Sequence, residues 1–245
     1  KSPTSSIDSF LEYRPEYVNL GKFAITKALI KYENEDNLFN PIDKGDNWYK
    51  YIVGKLITKF ESFKENRLSV VSFNYDRSFD QYLYLSLKSM YGHKEESEIR
   101  TLVKTIKIIH VHGQIGPLQW QGGEYFRPYE STDDINHIIQ SSDLIRVINE
   151  DNVESDKNFN EARRLLQDAH MVILLGFGYH ESNLNKLRIP EMDIENKSVI
   201  GSWFGLTGQL ISEIRAKSNN KINFDFPNAR HQRTLDFLKE NITFE

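Results

Sequence analysis

Cysteine is absent from all 245 residues. That absence excludes disulfides, thiolate catalysis and every cysteine-ligated zinc site, and it suits a reducing cytoplasmic setting. No apolar run approaches the ~20 residues that cross a bilayer, so no membrane partner is expected. Basic excess is missing too: 31 Lys and Arg face 35 Asp and Glu, a formal net charge of −4. A surface built to coat phosphate backbones needs the opposite balance, and no direct nucleic-acid binding is expected. Lys1 to Ser6 shows neither a methionine start nor an apolar signal segment, so the sequence is expected to begin within a longer one. It contains no internal repeat, low-complexity tract or convincing linker, and residues 1–245 read as one domain. What is present, 39% apolar and 27% charged residues, is the composition of a soluble globular chain.

The first third reads as helical. Ser6-Ile7-Asp8-Ser9 offers a polar cap before Phe10 and Leu11. Pro15 suits the first turn of a helix carrying Val18, Phe23, Ile25, Leu29 and Ile30. Asn40 to Asp46 is a loop by its Pro, Gly and Asp content. From Trp48 to Glu65 apolar residues return at helical spacing, a stripe that reads as core. Then β-rich runs appear at Leu68 to Asn74, Ile106 to His112 and His170 to Gly176, with a fourth candidate at Ser198 to Phe204. Helical patterns separate them, over Arg77 to Tyr91, Asp133 to Asn149, Asn158 to Asp168 and Gly208 to Lys217, and a last one spans about Ala229 to Asn241. This alternation favours parallel pairing. The fold class expected is α/β, a doubly wound, Rossmann-like parallel sheet with a helical N-terminal portion and a helical insertion.

The strand ends carry the chemistry. The first three runs finish in Asn74-Tyr75-Asp76, His112-Gly113 and Gly176-Phe177-Gly178. Open parallel sheets bind ligands beyond the carboxyl ends of their strands. Each piece alone has a plain explanation: Asn-x-Asp makes turns, His-Gly packs beside a permissive residue, and Gly-x-Gly allows tight strand–helix packing. Their order and common strand-end context make them a constellation.

Ser72-Phe73-Asn74-Tyr75-Asp76, then His112-Gly113, then Gly176-Phe177-Gly178 with Asn183-Leu184, resembles the ordered motif series of the sirtuin superfamily, most closely its bacterial anti-phage defence branch. The resemblance runs from about Leu68 to Leu187. It implies a domain that handles NAD as substrate, with Asn74 and His112 catalytic. It also implies contacts to NAD from Ser72, Phe73, Asp76, Gly113, Gly176, Phe177, Gly178 and Asn183. Sirtuin-like chemistry breaks the bond between nicotinamide and ribose; the cationic pyridinium departs neutral and needs no general acid, unlike an ordinary glycoside. His112 suits a base for a water or ribose hydroxyl, and Asn74 has donors and an acceptor to hold both.

Two departures refine this expectation. Protein-deacylating sirtuins carry a four-cysteine zinc ribbon between the His-Gly and later glycine motifs; here that interval has no cysteine, which favours plain NAD hydrolysis with no metal. The family also begins with a strand and a Gly-rich phosphate loop, whereas the glycines before Leu68 are only Gly21, Gly45 and Gly54. The domain is expected to lack that first strand and loop within residues 1–245. A constitutive NAD hydrolase harms its host, so a regulatory domain, partner protein or homo-oligomer is expected to control it. Two alternatives stay open. One is a non-catalytic module that senses NAD or an ADP-ribose derivative. The other is a metal-dependent hydrolase using His110 and His112, two apart on one strand face, with Asp76, His180 or Glu181. The aromatic stretch Trp120 to Tyr129 reads as a surface loop, with a lid over the pocket as the sharper reading.

Overall fold

The computed structural model describes residues 10–11, 13–40, 47–147, 156–226 and 228–244. The polar cap at Ser6 to Ser9 and the loop residues 41–46 lie outside them, as do residues 148–155. Helices α1 (Val18–Ile30), α2 (Glu35–Phe39) and α3 (Trp48–Leu56) precede strand β1 (Ser69–Ser72). There follow α4 (Ser78–Met90), α5 (Glu96–Val103), β2 (Lys107–His110), α6 (Ile135–Ser142), α7 (Lys157–Asp168) and β3 (Met171–Leu174). The chain continues through α8 (Glu181–Lys186), β4 (Ser198–Gly201), α9 (Gly208–Lys217) and α10 (Thr234–Asn241). No helix among the described residues is long and apolar enough to cross a membrane.

The molecule is mixed α/β, with two parallel two-stranded sheets among its described residues. It divides into two compact units, one of Lys1–Ile42 with Leu56–Asn152, the other of Asp43–Lys55 with Val153–Glu245. In the first unit β1 pairs with β2 in the register Ser69 to Lys107 through Ser72 to His110. Ile30, Ile115, Ile138 and Ile145 form an aliphatic cluster there, against which Phe23, Leu29 and Tyr75 pack. Burying such side chains stabilises by roughly 1.5–3 kcal/mol each. In the second unit β3 pairs with β4, Met171 with Ser198 through Leu174 with Gly201.

The strands are shorter than the runs that announce them, for local reasons. The Ser72 hydroxyl accepts from the Asn74 N–H (3.1 Å) and turns the chain out of β1. After β2, the Gly113 N–H closes a turn on the His110 carbonyl (3.1 Å). The predicted helix from Trp48 to Glu65 breaks after Leu56 and resumes as a tighter 3-10 segment at Phe60–Glu65. The freed carbonyls find donors: the Asn66 amide bonds Leu56 and Phe63, and the Tyr91 hydroxyl bonds Thr58. The helix expected over Asp133 to Asn149 covers only Ile135–Ser142. Beyond it the chain turns extended, and Ile145 bridges Gly113 while the Arg146 N–H reaches the His112 carbonyl (2.8 Å).

Candidate functional site

Adjacent parallel strands bring their carboxyl ends together, and β1 and β2 do so with Asn74, Asp76 and His112. The tie continues past the strands: the Val111 N–H donates to the Ser72 carbonyl and the Ile115 N–H to the Tyr75 carbonyl, each at 3.0 Å. Asn74 is exposed, Asp76 half-buried and His112 only 3% exposed. The His112 ring lies edge-on to Phe73, with centroids 5.5 Å apart, and 6.4 Å from Tyr75. An exposed amide, a carboxylate and a shielded imidazole therefore share one edge.

Part of this set already has structural work. Asp76 Oδ1 accepts from the Ser78 N–H (3.0 Å) at the start of α4, a turn that needs no ligand. The Ser72 hydroxyl is committed to the Asn74 backbone. Gly113 has φ +78°, and a Cβ there would stand 2.2 Å from the Leu144 carbonyl oxygen. Backbone packing alone therefore requires glycine at that position.

The same region contains residues that the sequence did not single out. The Glu33 carboxylate sits between two buried guanidiniums, bonded by Arg77 Nε (2.8 Å) and NH2 (2.7 Å) and by Arg127 NH2. Arg77 also donates to the carbonyls of Gly116, Pro117, Arg127 and Pro128. Burial, reinforced by the neighbouring Arg77 charge, lowers the Arg127 pKa, and burial pushes the Tyr129 phenol up to about 12. Trp120 stacks on Tyr84 at 5.1 Å and donates to Gln81 (3.1 Å). The stretch Trp120 to Tyr129 is a surface loop between anchors: Trp120, Arg127 and Tyr129 are buried in the first unit, while Gly122 to Glu124, Phe126 and Pro128 are exposed. Arg77 follows the Asn-x-Asp motif directly, but nothing local points to Glu33, 44 residues before it.

His110 does not stand beside His112 as a metal platform. Its Nδ1 lies 3.0 Å from the Asn74 carbonyl oxygen and its Nε2 3.1 Å from Asp80 Oδ2, so both ring nitrogens are engaged. Among the described residues no group of three or more His, Asp or Glu is placed to hold a metal ion.

Gly176, Phe177 and Gly178 belong to the second unit and line a cavity of about 530 Å³ at the carboxyl end of β3. Both glycines have positive φ, 57° and 68°, and Tyr179 follows at 55°. The Gly176 N–H donates to the Ser202 hydroxyl (3.2 Å), and the buried Tyr179 hydroxyl to the Ser202 carbonyl (2.6 Å). Phe177, Trp203, Phe204 and Leu206 make the cavity apolar, while Gln232, Arg233 and Thr234 bring the start of α10 to its wall. The Trp203 indole N–H is buried and finds no hydrogen-bond partner among the described residues. Asn183 is on α8, outside the cavity lining, with a buried Oδ1 that finds no donor among the described residues. Compared with protein-family models, curated proteins and solved structures, the chain matches none.

Proposed function

We propose that this protein is an NAD glycohydrolase, releasing nicotinamide and ADP-ribose from NAD. The observation that carries the reading is the convergence of Asn74, Asp76 and His112 at the paired carboxyl ends of β1 and β2, where parallel α/β sheets bind ligands. Asn74, exposed, orients the attacking water and a ribose hydroxyl. His112 accepts the proton, and the ribose must reach it past Phe73 and Tyr75. Asp76 is assigned to the nicotinamide side. Gly176 to Gly178 and Asn183, within the second unit, are assigned nucleotide contacts by the likeness to sirtuins alone. The aromatic walls of the cavity at Gly176 suit a flat heterocycle.

The likeness to sirtuins extends the proposal to a doubly wound, Rossmann-like sheet and to a cytoplasmic anti-phage effector held in check by a regulatory domain, partner protein or homo-oligomer. No metal has a part in the reaction. Incubation of the purified protein with NAD, followed by proton NMR of the nicotinamide ring, tests the activity. Free nicotinamide is expected from the wild type and its loss from folded Asn74→Ala. Nucleotide binding without nicotinamide release would instead identify a sensor module.

A further inference from the structure

The turn that carries Asn74 is fastened by a side chain with no part in the chemistry above. His110 closes β2, and its two ring nitrogens face the Asn74 carbonyl (3.0 Å) and the Asp80 carboxylate of α4 (3.1 Å). A carbonyl and a carboxylate are both acceptors. A neutral imidazole has one N–H, so it satisfies one of them and turns a lone pair on the other. An imidazolium satisfies both. The two side chains are 9% and 4% exposed, where water compensates poorly for an unmet acceptor.

The surrounding groups agree. The charged groups facing His110 are Asp80 from α4 and Asp76 from the turn after β1. Burial is the largest influence and opposes the cation, but the Asp80 hydrogen bond and the two negative charges outweigh it, so the His110 pKa is raised. Asp80 passes the contact on: its other oxygen accepts from the Gln121 amide (3.4 Å). Gln121 in turn accepts from the Leu118 N–H (2.7 Å) and the Gln114 amide (3.2 Å). One chain of hydrogen bonds thus joins the turn after β1 to the segment after His112-Gly113.

We propose that His110 is a positioning residue whose imidazolium bridges the Asn74 carbonyl, which also accepts from the Ser72 hydroxyl (3.3 Å), to Asp80, so that a proton on His110 tightens the Asn74–Asp76 turn. The bridge is complete below the raised His110 pKa and is lost as the pH rises through it. Its kinetic consequence rests on the NAD-cleaving reading of Asn74; its structural consequence does not.

Histidine side-chain and backbone NMR on the 15N-labelled protein separates the two. The His110 midpoint is expected above that of an ordinary histidine, with both nitrogens protonated below it, and the Tyr75 amide, bonded to the Asn74 carbonyl carbon, is expected to titrate with the same midpoint. Asp80→Asn should lower that midpoint by about one unit or more. In the wild type, kcat for nicotinamide release should fall along the same alkaline limb; His110→Gln, which keeps one donor and cannot titrate, should abolish that limb while retaining partial turnover. A His110 midpoint at or below that of an ordinary histidine, or a Tyr75 amide indifferent to its titration, would overturn the inference. A wild type that releases no nicotinamide would sink the proposed reaction, while the NMR titration would still decide the role of His110.

Discussion

At the scale of single residues, the edge formed by β1 and β2 combines groups held by strict geometry with groups left open. Gly113 is of the first kind. Gly113→Ala puts a methyl 2.2 Å from the Leu144 carbonyl oxygen at positive φ, and a loss of at least ~1–3 kcal/mol is expected. Urea denaturation measures it; an unchanged midpoint would show that the His112–Leu144 region does not pack as described. Glu33 is a second such residue. Its carboxylate neutralises one of two buried guanidiniums, and Glu33→Gln leaves both without a full counter-charge. Breaking a buried pair costs about 3–5 kcal/mol, so a large fall in melting temperature is expected, whereas exposed Glu124→Gln should be silent. Asn74 is of the second kind: its side chain lies in solvent, and Asn74→Ala is expected to shift stability by less than about 0.5 kcal/mol. That is what makes it a clean probe of chemistry.

At the scale of elements, signals that act over a few residues were legible. Helix α9 falls on the predicted Gly208 to Lys217, where the Thr207 hydroxyl caps the Leu210 N–H (3.3 Å). The Asp134 carboxylate likewise accepts from the Asn136 and His137 N–H groups at the start of α6. Asp134→Ala should cost about 1 kcal/mol, measurable as a lower denaturation midpoint; no change would mean the cap is not formed. The short α2, α5 and α8 were not read from the sequence, since five to eight residues give too little periodicity to separate from loop. The strand ends were legible because Asn74-Tyr75-Asp76 and His112-Gly113 announce turns by residue type. Their partners were not. Asp80 lies 30 residues from His110, and Arg127 lies 94 from Glu33. No local pattern encodes a contact formed only when β1 and β2 pair. The stretch Trp120 to Tyr129 was legible as a surface loop at Gly122 to Glu124, but not in its anchors, since Trp120 and Arg127 find buried partners elsewhere in the first unit.

At the scale of the whole molecule, the chain is mixed α/β with a parallel pair of strands in each of two units. Each unit places sequence-predicted residues beyond its carboxyl strand ends: Asn74, Asp76 and His112 in one, Gly176 to Gly178 in the other. In the proposed reaction Asn74 and His112 act on one reacting centre. A double-mutant cycle on nicotinamide release tests it most directly. Asn74→Ala and His112→Ala are each expected to lower kcat by about 10²–10⁴-fold in folded protein, and the double variant to be little worse than the weaker single one, as for groups that act as a unit. Losses that multiply independently, or an active His112→Ala protein, would show that the two residues do not share a reacting centre.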